Sequence, residues 1–597
     1  MHALEYPFDP QYIIKKKKSI KRELLGRDIS YVEKKIAVLG GSTTHDIIAV
    51  LDLFLLNAGI RAEFYESEYA KYWEDVMFDN PELVAFQPDL IYIHTSFRNL
   101  KNLPDLQMSE ADAEAGLAAE FSQFRMLWEK IENTYHCPVI QNNFEFPPYR
   151  ILGNYEATDP RGTIRYINRL NEQFAQYAAA HKDFYLQDIQ YLSACYGLDK
   201  WADPHYWHMY KYALAVDAIP TLSYNLSNIM KSLFGKNKKA LALDLDNTLW
   251  GGIIGDDGVE NIEIGPETPM GQVYAEFQSY IKKQKDLGVI LNVCSKNEKE
   301  NALAGLNHPD SILKPDDFIL IKANWDPKSK NLVETAKQLD LLPESFVFVD
   351  DNPAEREIIR AQVDGAATPE IGSVEDYIRV IDHAGFFEVT TLSADDAKRN
   401  EMYKQNAQRA ELAQTIGDYG EYLRSLEMKG TIGSFIPMYL DRIAQLTNKS
   451  NQFNLTTHRY TRAEIEEIAG SDAYIDLYGK LEDKFGDNGV VSVVIGHKDA
   501  QVLHMDLWIM SCRVLKRDME FAMMDELVKR AQEAGIRTIR GYYYPTAKNH
   551  MVENFYAQMG FQKTAEDADG NTEWEFAVDA SYRCQNQYIE VNGNGKK

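Results

Sequence analysis

The chain of 597 residues has few cysteines, no long apolar run and a shortage of positive charge. Cys137, Cys195, Cys294, Cys512 and Cys584 are scattered and odd in number. No pair has the spacing of a zinc site, and a disulfide framework is not expected in so large a chain. No stretch of about 18 apolar residues occurs, so no membrane span is expected. No apolar segment of signal-peptide length follows Lys15 to Lys18, which points to a cytoplasmic protein. Lys and Arg number 64 against 90 Asp and Glu, a formal net charge of −26. That balance argues against nucleic acid as the main ligand, because a phosphate backbone requires clustered cations. Small phosphorylated substrates, which need only a few local cations, remain open. Internal repeats and long low-complexity tracts are also missing.

What is present is the composition of a globular protein, with 45% hydrophobic, 26% charged and 12% aromatic residues. At roughly 100–200 residues per domain, the length predicts about three to five domains. Residues 1–220 alternate strands and helices: Ile36 to Leu39, a helix from His45 to Asn57, then Arg61 to Tyr65, Leu90 to Ile93 and Pro138 to Ile140. Such alternation predicts a doubly wound α/β domain with a parallel sheet. A second α/β unit, residues 221–392, has strands at Ala240 to Leu243, Val289 to Val293 and Phe346 to Val349. Residues 393–430 read as a helical connector, and residues 431–597 as a separate α+β domain.

Open α/β sheets place their chemistry at the carboxyl ends of the strands. In the second unit those ends carry Asp244 and Asp246, then Ser295, then Lys328 at a helix mouth, then Asp350 and Asp351. An isolated Asp-x-Asp is ordinarily a strand-end turn, but four such groups in order make a site. Converging carboxylates repel unless a cation sits among them, and hard oxygen ligands suit Mg²⁺. A carboxylate beside that metal can attack phosphorus, and one two residues on can act as acid and base. Ser295 and Lys328 would hold phosphoryl oxygens.

These residues resemble the four motifs of the haloacid dehalogenase superfamily. The resemblance implies Asp244 as nucleophile, Asp246 as acid/base, and Asp244, Asp246, Asp350 and Asp351 around Mg²⁺. The stretches Leu243 to Gly258, Val293 to Asn297, Asn324 to Lys328, Phe348 to Pro353, Gln445 to Thr457 and Ser511 to Arg513 further resemble the FkbH family, from about residue 240 to Phe561. That family implies transfer of a glyceryl unit from 1,3-bisphosphoglycerate, a phosphorylated three-carbon substrate, to the phosphopantetheine arm of an acyl carrier protein, with phosphate removal. Too few residues separate Asp246 from Val289 for a large cap, which suits a tethered substrate. Two other readings stand beside this one: a small-metabolite phosphatase, and a scaffold that only binds a carrier protein. Cys294, beside Ser295, is a candidate acyl-accepting thiolate, or simply a small buried hydrophobe.

The C-terminal segment resembles the Gcn5-related acetyltransferase fold. There Arg513 opens the coenzyme-binding loop, Lys516 and Asp518 replace its glycines, and Tyr556 stands where a leaving thiol would be protonated. Lys516 and Arg517 are candidates to meet the phosphate of a pantetheine arm, and Lys236 to Lys239 to meet an acidic carrier protein. The N-terminal domain resembles the SGNH-hydrolase type, with Ser42 after a strand, Asn142 or Asn143 as oxyanion donor, and Asp203 with His205. Gly41-Ser42 is equally well explained as a tight turn with a helix cap.

Overall fold

The computed structural model describes residues 1–392, 398–449, 452–511, 514–546 and 548–593. The chain forms two compact units, Met1–Lys231 and Ser232–Lys597, so the division falls beyond residue 220.

Unit 1 is built on a parallel sheet of β1 (Val32–Gly40), β2 (Ile60–Glu66), β3 (Leu90–His94), β4 (Val139–Asn142) and β5 (Phe184–Gln187), in the order β2-β1-β3-β4-β5. Strands covered on both faces read as unbroken apolar runs, and Leu90–His94 is buried throughout. One face packs Leu39, Ile91 and Ile93 against Phe124, Trp128 and Phe174. Helices supply the other face through Ile47, Phe54, Trp201 and Leu222. Gly59, at φ 74°, turns the chain from the helix His45–Asn57 into β2.

Unit 2 contains two sheets. The first is parallel: β6 (Ala240–Leu243), β7 (Ile290–Ser295), β8 (Leu320–Ala323) and β9 (Phe346–Val349), in the order β8-β7-β6-β9. The chain steps from β6 to β7 and β8 on one side and returns to β9 on the other. The switch point therefore lies between the carboxyl ends of β6 and β9. Between β6 and β7 the chain adds bridges pairing Asp246 with Trp250 and Gly251 with Glu263, the short helical segments Ile254–Asp257 and Val259–Asn261, and the long helix Pro269–Asp286.

Helices Arg399–Ile416 and Tyr419–Ser425 follow; residues 393–397, at the head of the expected connector, lie outside the described residues. The second sheet is mixed and eight-stranded: β10 (Met428–Gly433), β11 (Tyr474–Asp483), β12 (Gly486–Asp499), β13 (Val502–Met510), β14 (Thr538–Tyr543), β15 (Gln562–Glu566), β16 (Thr572–Ala577) and β17 (Ile589–Gly593). The parallel neighbours β13 and β14 pair only from Val502–Thr538 to His504–Arg540 and then separate. The segment around Asn454 enters the gap: Met510 N–H donates to Phe453 O at 3.0 Å, and Tyr544 N–H to Leu455 O at 2.9 Å.

Tyr556 lies under β14 and is 1% exposed. A methyl group at Gly541 would stand 2.4 Å from its ring. Gly541→Ala therefore forces the ring or the strand to move, an overpacking cost of about 1–3 kcal/mol. Urea unfolding of the variant reads this directly, and an unchanged midpoint would mean that the ring has room.

Candidate active site

The site is assembled where β6 and β9 end side by side, with Asp244 N–H donating to Val349 O at 2.9 Å. Asp244, Asp350 and Asp351 each offer a carboxylate oxygen within 4.8 Å of the others. Lys328, the first residue of the helix Lys328–Gln338, reaches into this group. Its Nζ stands 2.9 Å from Asp244 Oδ2 and 2.6 Å from Asp350 Oδ2. Burial pushes the ammonium down, but Asp244 and Asp350 outweigh it and hold the pKa above the ordinary lysine value. Burial, then the neighbouring Asp244, raises the carboxyls of Asp350 and Asp351.

Asp246 is held apart from that trio. Its Oδ1 accepts from Trp250 Nε1 at 2.9 Å and from Ile254 N–H at 3.2 Å, and its Oδ2 from Asn297 Nδ2 at 3.0 Å. Asp246, expected beside the metal, stands outside the cluster that Asp244, Asp350 and Asp351 form among the described residues, its carboxylate accepting from Trp250, Ile254 and Asn297. Burial raises its pKa.

The loop between Asp244 and Trp250 is shaped by Asn247, which takes a left-handed φ of 54° and accepts from Gly252 N–H at 3.0 Å. Asn tolerates that conformation better than most residues. Tyr377 Oη donates to Asn247 O at 3.1 Å. Thr248 Oγ1 accepts from Asp351 N–H at 3.2 Å, and Arg356 Nη1 donates to Asp350 O at 2.8 Å and Asp351 O at 2.9 Å. Sequence reasoning missed Thr248, Arg356, Asn297 and Tyr377 as supports. Thr248 and Asn297 stood inside quoted motifs; Arg356 and Tyr377 carried no local signal.

Ser295 ends β7 and is buried. Cys294, its neighbour, belongs to the core beside Ala242, Leu332 and Phe348. Its Sγ faces Lys328 O at 3.5 Å, and burial pushes the thiol up to about 12. The candidate thiolate is corrected to a packed thiol: strand alternation turns Cys294 into the core when Ser295 faces away from it.

Three expectations for the flanking segments also change. Arg517 is 6% exposed and donates to Asn406 Oδ1 at 2.7 Å and, beside Arg409, to Asp483 Oδ2 at 3.3 Å, so it does not present itself to a carrier phosphate. Lys238 Nζ donates to Glu344 O at 2.7 Å and Gly365 O at 2.8 Å, which removes it from a docking patch. Tyr556 Oη lies buried beneath Gly541, and burial raises its pKa, so it is not placed to protonate a thiol. Lys516 and Asp518 do keep left-handed backbones, φ 62° and 60°. Cys512 and Arg513 lie outside the described residues.

In unit 1, Ser42 Oγ is buried without a hydrogen-bond partner. Asn99 Nδ2 donates to Gly41 O at 2.8 Å, and Asn142 Nδ2 to Thr95 O at 3.0 Å. Asn143 is tied to Asp188 at 2.7 Å. Asp203 caps its own helix by accepting from the backbone of His205, whose ring is exposed. The structure therefore does not join Ser42, His205 and Asp203 into a triad. Nearby, Glu145 is 1% exposed with Oε1 unpartnered, and burial raises its carboxyl to about 7. Folded protein holds a proton there that the unfolded chain releases at lower pH, so stability is lost as pH rises through about 7. Glu145→Gln removes that loss and stabilises the protein by about 1–3 kcal/mol above that pH. Unfolding midpoints that differ equally in acid and in base would dismiss Glu145 as the titrating group.

The three clustered carboxylates, with oxygen donors only, fit Mg²⁺. At 100 times its dissociation constant Mg²⁺ adds about 2.7 kcal/mol of stability, read as a raised thermal midpoint that Asp351→Asn diminishes. A midpoint indifferent to Mg²⁺ would remove the metal assignment. Among the described residues, no helix is long and apolar enough to cross a membrane.

Residues 35–231 match the family model for the FkbH N-terminal domain. None of the curated proteins compared matches the chain. Among solved structures, the chain is similar to the N-terminal part of BF1531 from Bacteroides fragilis, described as containing a phosphatase domain complexed with Mg, at 29% identity and TM-score 0.58, over 63% of this chain and 99% of that one. The Escherichia coli ribosomal-protein-S18-alanine N-acetyltransferase matches at 12% identity and TM-score 0.21, over 27% of this chain and 99% of that one. Ard1 from Thermoplasma volcanium matches at 20% identity and TM-score 0.20, over 25% and 97%. The chain is therefore FkbH-like through residues 35–231 and similar, over most of its length, to a protein whose phosphatase domain was crystallised with magnesium.

Proposed function

We propose that this protein is a Mg²⁺-dependent phosphatase and acyltransferase that loads a glyceryl unit from 1,3-bisphosphoglycerate onto the phosphopantetheine thiol of an acyl carrier protein, with phosphate removal. The observation that carries the phosphatase part is the cluster of Asp244, Asp350 and Asp351 closed by Lys328 at the switch point of the sheet. Asp244, Asp350 and Asp351 would hold Mg²⁺, which when bound neutralises carboxylate and phosphoryl charge.

Asp244 forms the bond to phosphorus as the ester oxygen leaves, and Asp246 gives that oxygen its proton. Asp246 then takes a proton from the water that releases phosphate from Asp244. A carboxyl raised by burial and steadied by Asn297 and Trp250 suits this exchange. Ser295 and Lys328 bind the phosphoryl oxygens. The small insertion between β6 and β7 leaves the site accessible to an arm carried by another protein. The acyl step rests on the FkbH resemblance, and Cys294 takes no part in it. The reading assigns the protein to the cytoplasm, with no nucleic-acid or membrane partner.

The test is intact-protein mass spectrometry of a holo acyl carrier protein incubated with the enzyme, Mg²⁺ and 1,3-bisphosphoglycerate, with phosphate release followed in parallel. A glyceryl mass gain on the carrier is expected. Phosphate release above the donor's spontaneous breakdown, with no loading on any carrier, would reduce the function to a small-molecule phosphatase.

A further inference from the structure

Unit 1 has a switch point of its own. The chain leaves β1 for β2 on one side and returns to β3 on the other, so the carboxyl ends of β1 and β3 flank the place where open α/β sheets bind ligands. The loops that follow are drawn together there. Gly41 N–H donates to His94 O at 2.8 Å, and Asn99 Nδ2 donates to Gly41 O at 2.8 Å while its Oδ1 accepts from Ser96 N–H at 2.9 Å. A methyl group at Gly41 would stand 2.5 Å from the Asn99 side chain, so this approach requires glycine. The end of the helix Pro204–Tyr210 closes on the same loop: Thr43 N–H donates to Lys211 O at 3.0 Å, and Thr43 Oγ1 to Tyr210 O at 2.7 Å.

Two cations gather at this junction on one indole. The Arg98 guanidinium lies over the ring of Trp207 at 4.6 Å and over that of Phe97 at 5.1 Å. Lys211 Nζ lies over the same Trp207 ring at 5.5 Å. Arg98 is half-buried, and its Nε is shielded from water without a hydrogen-bond partner. Among the described residues neither Arg98 nor Lys211 is paired with a carboxylate. The carboxylates nearby are engaged elsewhere: Glu66 Oε1 accepts from Thr44 Oγ1 at 2.7 Å, Asp46 pairs with Lys17, and Glu145 Oε2 accepts from Phe97 N–H at 3.3 Å. Ser42 Oγ, on the loop after β1, is buried and also lacks a partner. In a chain of net charge −26, two cations left unpaired side by side are unusual. A guanidinium stacked on rings keeps its edge of N–H donors, which matches two oxygens of a carboxylate or phosphate. Donors kept from water and unmet are costly, so the arrangement favours an incoming anion.

We propose that Arg98 and Lys211, held on Trp207 at the switch point of unit 1, form a binding site for a small ligand bearing an oxyanion, a carboxylate or a phosphate. Arg98 turns its N–H edge to two oxygens of that group, and Lys211 adds a point charge. The site is separate from the Asp244 cluster and does not depend on the chemistry assigned there.

Equilibrium dialysis of the full chain against radiolabelled succinate and, in a second arm, radiolabelled inorganic phosphate, both without divalent cation, tests this. One molecule should bind per chain in at least one arm, and the arm that binds identifies the oxyanion. Arg98→Gln should weaken that binding about tenfold or more, and Lys211→Gln about threefold or more. Ser295→Ala, at the other position that would hold a phosphate, should leave it intact. The bound ligand should raise the wild-type unfolding midpoint and not that of folded Arg98→Gln, which separates lost binding from lost folding. No binding in either arm at millimolar concentration, equal binding by folded Arg98→Gln, or loss of the binding in Ser295→Ala would each overturn the proposal.

Discussion

Asp244→Asn is expected to lower the rate of phosphate release by about 10,000-fold or more, because it removes the proposed nucleophile and leaves only binding and electrostatics to act. The amide is isosteric with the carboxylate, and Lys328 retains Asp350 at 2.6 Å, so the fold is kept. Phosphate release is measured at saturating Mg²⁺, which separates weakened metal binding from lost chemistry. Carrier loading that persists in this variant without phosphate release would assign the acyl step to another part of the chain. An undiminished rate of phosphate release would remove Asp244 from the mechanism altogether.

Lys328→Met has its largest effect on the metal-free protein. The ammonium is 5% exposed in its side chain and lies between two buried carboxylates. Removing one partner of a buried ion pair costs about 3–5 kcal/mol, because the remaining charges are left without compensation. Asp244 and Asp350 would then repel each other, and the carboxyl of Asp350, already raised by burial and by Asp244, would take up a proton more readily. Folded carboxyls raised in this way hold protons that the unfolded chain has released, so the loss grows as pH rises and eases in acid. Mg²⁺ supplies a replacement charge and recovers part of the loss. Urea unfolding at neutral and acidic pH, with and without Mg²⁺, measures all of this. Coincident midpoints for variant and wild type would show that Lys328 is not the counter-charge of the cluster.

Some of this architecture was legible in the chain. The helix His45–Asn57 coincides with its reading because an apolar periodic segment is stopped by Gly59. The strand ends bearing Asp244 and Asp350 were legible because short buried strands read as apolar runs, and polar residues mark where they finish. The helix Pro353–Gln362 opens on Asn352 and Pro353, residue types that favour a helix start, with Asn352 Oδ1 accepting from Ala354 N–H at 2.9 Å.

What composition and motif order determined by themselves is the alternation of elements, the succession of polar groups at strand ends, and the shortage of cations that confines anion binding to local clusters. Tertiary structure alone decided what each side chain faces. Cys294 and Ser295 are neighbours with opposite surroundings, because alternate positions of a strand look to opposite faces and packing chooses which face is core. Arg517 read as an exposed cation until Asp483 and Asn406, distant in sequence, enclosed it. The ion pair of Lys548 with Glu344 joins segments 204 positions apart. Local sequence determines how a segment folds; which distant segment it meets depends on the packing of the whole unit.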